Sequence, residues 1–151
     1  MQLTIKTRVK GDPKQVFAGF DRQLFEALSP PFPPVRVIEF GGCQAGARVA
    51  LELNFLFFKQ SWVSVVTKEG FLDGAPFFVD CGEELPFFLS DWMHEHRVEP
   101  DPQRANTSLI VDAITFQTPS WLPEWLLAPA MWAQFLYRKP VYKRYFAQKH
   151  A

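Results

Sequence analysis

Hydrophobic and polar positions alternate along most of this chain, and only a short early segment and the C-terminal end switch to a helical spacing. Leu3, Ile5 and Thr7 alternate with Thr4, Lys6 and Arg8, which predicts a first strand ending at Gly11. Asp12-Pro13 then starts a helix, because Asp can cap free amides and Pro at the first helical position loses no hydrogen bond. Val16, Phe17 and Phe20, followed by Leu24, Phe25 and Leu28, recur at spacings of three and four. A break between Gly19 and Asp21 divides them into two short helices. Ser29-Pro30-Pro31-Phe32-Pro33-Pro34 closes the segment, since successive prolines remove donors and resist the α region.

From Val35 to Gln117 the pattern has the period of strands. Val35 to Phe40 stops at Gly41-Gly42. Arg48 to Phe55 sets Val49, Leu51, Leu53 and Phe55 against Arg48, Ala50, Glu52 and Asn54. Ser61 to Glu69 is rich in Val and Thr, and Pro76 to Gly82 is an aromatic strand entered through Asp73-Gly74. Ser90 to Val98 and Thr107 to Gln117 complete a set of seven strands, counting the N-terminal one. Between those two, Glu99-Pro100-Asp101-Pro102-Gln103-Arg104-Ala105-Asn106 is turn-forming, so they are expected to pair as a hairpin.

The last segment is helical. Pro129 suits a first turn, and Trp132, Phe135, Leu136, Tyr142 and Phe146 follow at roughly helical spacing. Arg138, Lys139, Lys143 and Arg144 lie towards the end where cations favour the dipole. From Pro129 to Phe146 such a helix would run ~27 Å, enough to lie across a twisted sheet, with a kink expected near Pro140. The predicted order is strand, helix pair, six-strand meander and long C-terminal helix. This is an α+β arrangement in a single domain spanning residues 1–151, a length that buries ~70% of its unfolded-chain surface.

The hairpin carries the candidate chemistry. Its first strand puts Trp92, His94, His96 and Val98 on one face and Met93, Glu95 and Arg97 on the other. A turn centred near Pro102 and Gln103 would set His96 opposite Ile110 and His94 opposite Asp112. Ser108, Ile110, Asp112, Ile114 and Phe116 would then join the histidine face, a large apolar surface with three polar groups suited to lining a pocket.

Composition narrows the function classes. Lys+Arg and Asp+Glu are equal at 16 each, so no general attraction to phosphate backbones is expected, and a nucleic-acid partner is not expected. The 16 phenylalanines and 5 tryptophans can fill a core or line a cavity. Cys43 and Cys81 lack metal-ligand spacing and read as free thiols of a reducing compartment, with a disulfide between them as the alternative. The first residues lack the apolar run of a signal peptide, and Trp121 to Tyr137 is too short and too interrupted for a span, so a cytoplasmic protein is expected.

Trp92, His94, His96 and Arg97 form a Trp-x-His-x-His-Arg strand, and Thr107-Ser108-Leu109-Ile110-Val111-Asp112 a Thr-x-Leu-x-x-Asp element; Pro119 and Phe135-Leu136-Tyr137-Arg138 follow. With the order of elements, these residues resemble the START-like or SRPBCC superfamily, specifically its small bacterial ligand-binding proteins. The resemblance runs the whole length and is strongest between residues 86 and 146. It departs from the family at Pro140 and at the Pro-rich Trp121-Leu122-Pro123-Glu124-Trp125. It implies a helix-grip fold: a seven-stranded curved antiparallel sheet wrapped around the long C-terminal helix, with a cavity for a hydrophobic molecule between them. Lipid carriers, hormone-binding proteins, and polyketide cyclases and aromatases share this architecture, so activity must come from the site.

The expected ligand-binding residues are Trp92, His94, His96, Ile110, Asp112, Ile114, Trp132, Phe135 and Leu136, holding a lipid-like, polyketide-like or aromatic molecule. His94 and Asp112 would orient its polar end. The same pair supports an alternative, a cyclase or hydrolase with His94 as general base and Asp112 fixing its tautomer. Against both stands a bland reading in which the three polar groups only specify strand register inside a filled core. Two His at i, i+2 and one Asp could ligate a metal, but no supporting shell is legible, so neither metal nor cofactor is expected. Glu95 and Arg97 read as solvated, Glu83-Glu84 as a turn, and Gly41 to Gly46 as a loop without the phosphate-binding Lys. Trp121, Trp125, Trp132, Phe57 and Phe58 form either a packed lid or a surface for transient membrane contact.

Overall fold

The computed structural model describes residues 1–151. The elements are β1 (Gln2–Lys10), α1 (Pro13–Ala18), α2 (Arg22–Ala27), β2 (Val35–Phe40), β3 (Arg48–Phe55), β4 (Phe58–Leu72), β5 (Ala75–Glu84), β6 (Asp91–Pro100), β7 (Thr107–Gln117) and α3 (Glu124–Lys149). All seven strands join one antiparallel sheet in the order β1-β7-β6-β5-β4-β3-β2. The sheet curls around α3, and α1 and α2 carry the chain from one edge strand to the other. This is the helix-grip fold.

Local chemistry accounts for the punctuation. Asp12 accepts from the Gln15 amide while the Gln15 side chain accepts from the Asp12 amide, a complete capping box ahead of Pro13. Asp21 caps α2 through the Leu24 amide and also accepts from the Tyr145 hydroxyl, tying the short helices to α3.

Two expectations are corrected. The C-terminal helix starts at Glu124, not Pro129: Pro123 takes the extended N-cap conformation, and Pro129 and Pro140 both lie inside 26 continuous residues. Each proline frees one carbonyl four residues back, those of Trp125 and Leu136. Both residues are exposed, so water can satisfy the freed groups and the helix continues. The hairpin register also differs by two. His96 faces Asp112, and His94 faces Ile114. The turn is centred on Arg104, because the Asp101 carboxylate accepts from the Gln103 amide and Asn106 takes a left-handed φ of 52°. A slip of two keeps every side chain on its predicted face.

The inner face is apolar in two blocks. Val98, Ile110, Phe78, Phe20, Tyr142 and Phe146 belong to one cluster under α1 and α2, and Trp92, Trp62, Ile114, Phe116, Met131 and Phe135 to another at the opposite end. On β6 the step from Trp92 to Val98 passes through His94 and His96, and on β7 that from Ile110 to Ile114 passes through Asp112. A polar layer therefore divides the core.

Candidate functional site

Four side chains from three neighbouring strands make up this layer. Asp80 on β5 lies directly opposite His94 on β6, and His96 directly opposite Asp112 on β7. The hydrogen bonds run diagonally: His94 Nε2 meets Asp112 Oδ1 at 2.8 Å, and His96 Nε2 meets Asp80 Oδ2 at 2.8 Å. The crossing brings the imidazoles together, with ring centroids 3.6 Å apart. His96 also lies flat on Phe78 at 4.2 Å, and the edge of His94 meets Phe135 of α3 at 5.2 Å. Trp92 Nε1 donates to Asp80 Oδ1 at 3.2 Å. Every member thus has its orientation fixed by a neighbour.

Electrostatics separate the acids from the base. Burial, together with the neighbouring His96, pulls the conjugate acid of His94 down to about 4. Burial opposes ionisation of Asp112, but its bond and attraction to His94 outweigh this and hold it below the usual carboxylate range, with Arg138 adding a further attraction. Asp80 is held low in the same way by His96, His94 and Trp92. At neutral pH His94 is therefore a neutral imidazole beside two carboxylates. Burial also raises the Tyr142 hydroxyl, which has Asp112 and Arg138 beside it; that hydroxyl and Asp112 Oδ2 are buried without a hydrogen bond of normal geometry.

One side of the layer borders a cleft of about 90 Å³ between the sheet and α3. A single water occupies roughly 10–15 Å³ on this scale, so the space suits several waters or a small organic group. Leu51, Leu53, Trp62, Val66 and Phe78 supply apolar wall from β3, β4 and β5, and Phe25, Leu28 and Pro30 close the α2 side. Its polar points are Ser29, Ser64, Asp80, His94, His96, Gln134 and Arg138. The Arg138 guanidinium lies over the Phe135 ring at 4.3 Å, with Nε and Nη1 buried and unpartnered.

Of the residues expected from sequence, Trp92, His94, His96 and Phe135 border the cleft. Ile110, Asp112 and Ile114 are buried behind it and reach it only through their neighbours. Trp132 and Leu136 are a correction: they lie outside the lining, 42% and 39% exposed, on the outer side of α3. The inward stripe runs through Met131, Phe135, Tyr142 and Phe146 instead. Asp80 and Arg138 were missed as site residues. Asp80 shares a strand face with Phe78, so alternation along Pro76 to Gly82 was the available signal.

The aromatic residues of the β3–β4 turn and of the approach to α3 lie outside the cleft lining and are exposed rather than folded over as a lid. Phe57 at the β3–β4 turn is 96% exposed, Trp121 61% and Trp125 67%. Trp121 stacks on Phe87, which contacts Phe55 and Phe58. No helix is long and apolar enough to cross a membrane. Cys43 and Cys81 are both free thiols.

No family model matches the chain, and no curated protein matches it by sequence. Solved structures resemble it over nearly its whole length. A START superfamily protein from Mycobacterium smegmatis superposes with a TM-score of 0.72 at 6% identity, covering 97% of each chain. The Zhui aromatase/cyclase from Streptomyces sp. R1128 gives 0.68 at 14% identity, over 94% of this chain and 90% of that one. A norcoclaurine synthase from Thalictrum flavum gives 0.66 at 11% identity, over 100% and 96%. At these identities the likeness is one of fold.

Proposed function

We propose that this chain, with its START-like helix-grip fold, binds a small hydrophobic or aromatic molecule bearing a polar, oxygen-rich end in the cleft beneath α3. The observation that carries the reading is Arg138, with two buried N–H donor atoms that make no hydrogen bond, at the edge of a largely apolar cleft. A buried donor without an acceptor is costly, and a carboxylate or phenolic oxygen on a guest would supply one. Trp92, Trp62, Leu53 and Phe135 would take the apolar body, and His94, held by Asp112, the second polar contact. Ile110, Asp112 and Ile114 support the floor from behind.

A cyclase- or hydrolase-type enzyme is the second reading, favoured by the buried His94–Asp112 bond and by an aromatase/cyclase and a norcoclaurine synthase among the structures of like fold. Binding is preferred because a conjugate acid near 4 makes His94 a weak proton acceptor at neutral pH.

The test reads emission from Trp62 and Trp92, whose rings meet edge-on at 4.7 Å beside the cleft. A panel of medium-chain fatty acids and aromatic acids is titrated alongside the corresponding methyl esters. Acids are expected to shift emission at lower concentration than esters, and Arg138→Met to abolish the preference. If no acid shifts emission and native mass spectrometry of freshly purified protein finds no bound molecule, the reading fails. Turnover lost with His94→Ala would move the conclusion to the enzyme.

A further inference from the structure

We infer that Asp80, His94 and His96 form a site for a divalent transition-metal ion of the zinc class, open on the cleft side. Each of the three offers a ligand atom within 4.8 Å of the other two. Asp80 Oδ2 lies 2.8 Å from His96 Nε2 and 4.0 Å from His94 Nδ1. Ligands held about 2.0–2.1 Å from a tetrahedral metal stand about 3.3 Å apart, between those two separations. Changes of about 0.5–0.7 Å in these two separations would bring the Asp80–His94 and Asp80–His96 pairs to that spacing. Two imidazoles and a carboxylate, with a remaining position facing a cleft, form a donor set suited to zinc.

The unpaired lone pairs support the assignment. His94 Nε2–H donates to Asp112 Oδ1, which leaves Nδ1 as a bare acceptor turned towards the Asp80 carboxylate, and no donor lies between them. His96 has the converse problem: Nε2 bonds Asp80, and Nδ1 is buried with no partner, 3.8 Å from Asp112 Oδ1. A cation among Asp80 Oδ2, His94 Nδ1 and His96 Nε2 resolves both. The His96 proton moves to Nδ1, where it faces Asp112. The non-coordinating nitrogens of both imidazoles then point at one carboxylate, the supporting arrangement typical of histidine metal ligands. Trp92 Nε1 already holds the other oxygen of Asp80. The nearby guanidinium of Arg138 hydrogen-bonds neither carboxylate, so a permanent cation is not otherwise supplied at hydrogen-bonding range. Asp112, read from sequence as a ligand contact, becomes on this view a positioning residue for both histidines.

The inference is independent of any organic guest and is tested without one. The full chain is stripped with a chelator, desalted, and titrated with Co²⁺ alone and Zn²⁺ alone. One equivalent of Co²⁺ should produce visible absorption bands of a low-coordinate nitrogen and oxygen site, which Zn²⁺ then bleaches. Asp80→Asn and His96→Ala should each weaken binding at least tenfold, and Asp112→Asn by ten- to a hundredfold while retaining the one-to-one stoichiometry. His150→Ala and Cys81→Ser, which remove the other histidine and the thiol flanking Asp80, should leave binding unchanged. Where circular dichroism shows His96→Ala unfolded, the nearly isosteric Asp80→Asn decides. Absence of saturable binding up to ~1 mM metal overturns the assignment, as does undiminished binding by folded Asp80→Asn or loss of binding in either control.

Discussion

Acidification should destabilise this protein between pH 6.5 and 4 through a single imidazole. His94 is 3% exposed and its conjugate acid is drawn down to about 4 in the folded chain, against 6.5 for the free side chain. Between those values the unfolded chain holds a proton that the native state lacks. Stability is therefore fully present above pH 6.5 and is lost as pH falls towards 4. The difference of about 2.5 pH units corresponds to about 3 kcal/mol, or roughly 6–12 °C in melting temperature for a chain of this size. The groups facing His94 are Asp112 on β7, Asp80 on β5, His96 on β6 and Arg138 on α3. Both carboxylates are depressed below 3.8, so the stability they contribute is lost at still lower pH. Urea unfolding of metal-free protein at pH 7.5, 6.5, 5.5 and 4.5 measures the slope, with His94→Gln as the comparison. A wild-type stability flat across this range, or an equal fall in His94→Gln, would refute the argument.

Three further outcomes follow from particular contacts. Phe135→Ala should cost about 3–5 kcal/mol in urea unfolding, because it removes a ring buried against Trp92 and His94. Trp132→Ala and Leu136→Ala should each change stability by no more than about 0.5 kcal/mol and leave guest affinity unaltered, since both side chains lie outside the cleft. Replacing Phe57 and Trp125 with Ser should weaken flotation with liposomes if the exposed aromatic end touches membranes; wild-type protein that ignores vesicles of any charge removes that function.

The order of elements was legible because its punctuation is local. Asp12-Pro13, the proline run after Leu28 and the glycines at strand ends act through their own backbones, and each element lies near its expected place. The inward face of β6 and β7 was legible for a different reason: a period of two survives any even slip, so the mistaken register cost nothing in orientation. It did mislead about which residues stand directly opposite, because Asp101 and Asn106 move the turn; the expected His94–Asp112 pair forms all the same, across the diagonal. Trp132 and Leu136 were misplaced because α3 is aromatic or apolar on several sides, which leaves its inward phase weakly marked. Asp80 escaped notice since its significance arises only when β5 is laid beside β6. No local feature of Phe77 to Cys81 announces that pairing.

The sheet order has a consequence for how the chain reaches its native state. β1 finds its partner only in β7, with Gln2 beside Thr115 and Lys10 beside Thr107, so its ladder must wait until most of the polypeptide is available. Until then the first strand has both edges open, and the grip cannot close. Late consolidation is expected from this one sequence-distant ladder, since the other five pairings join consecutive strands. During synthesis, Gln2–Lys10 is the segment most in need of shielding from other nascent chains.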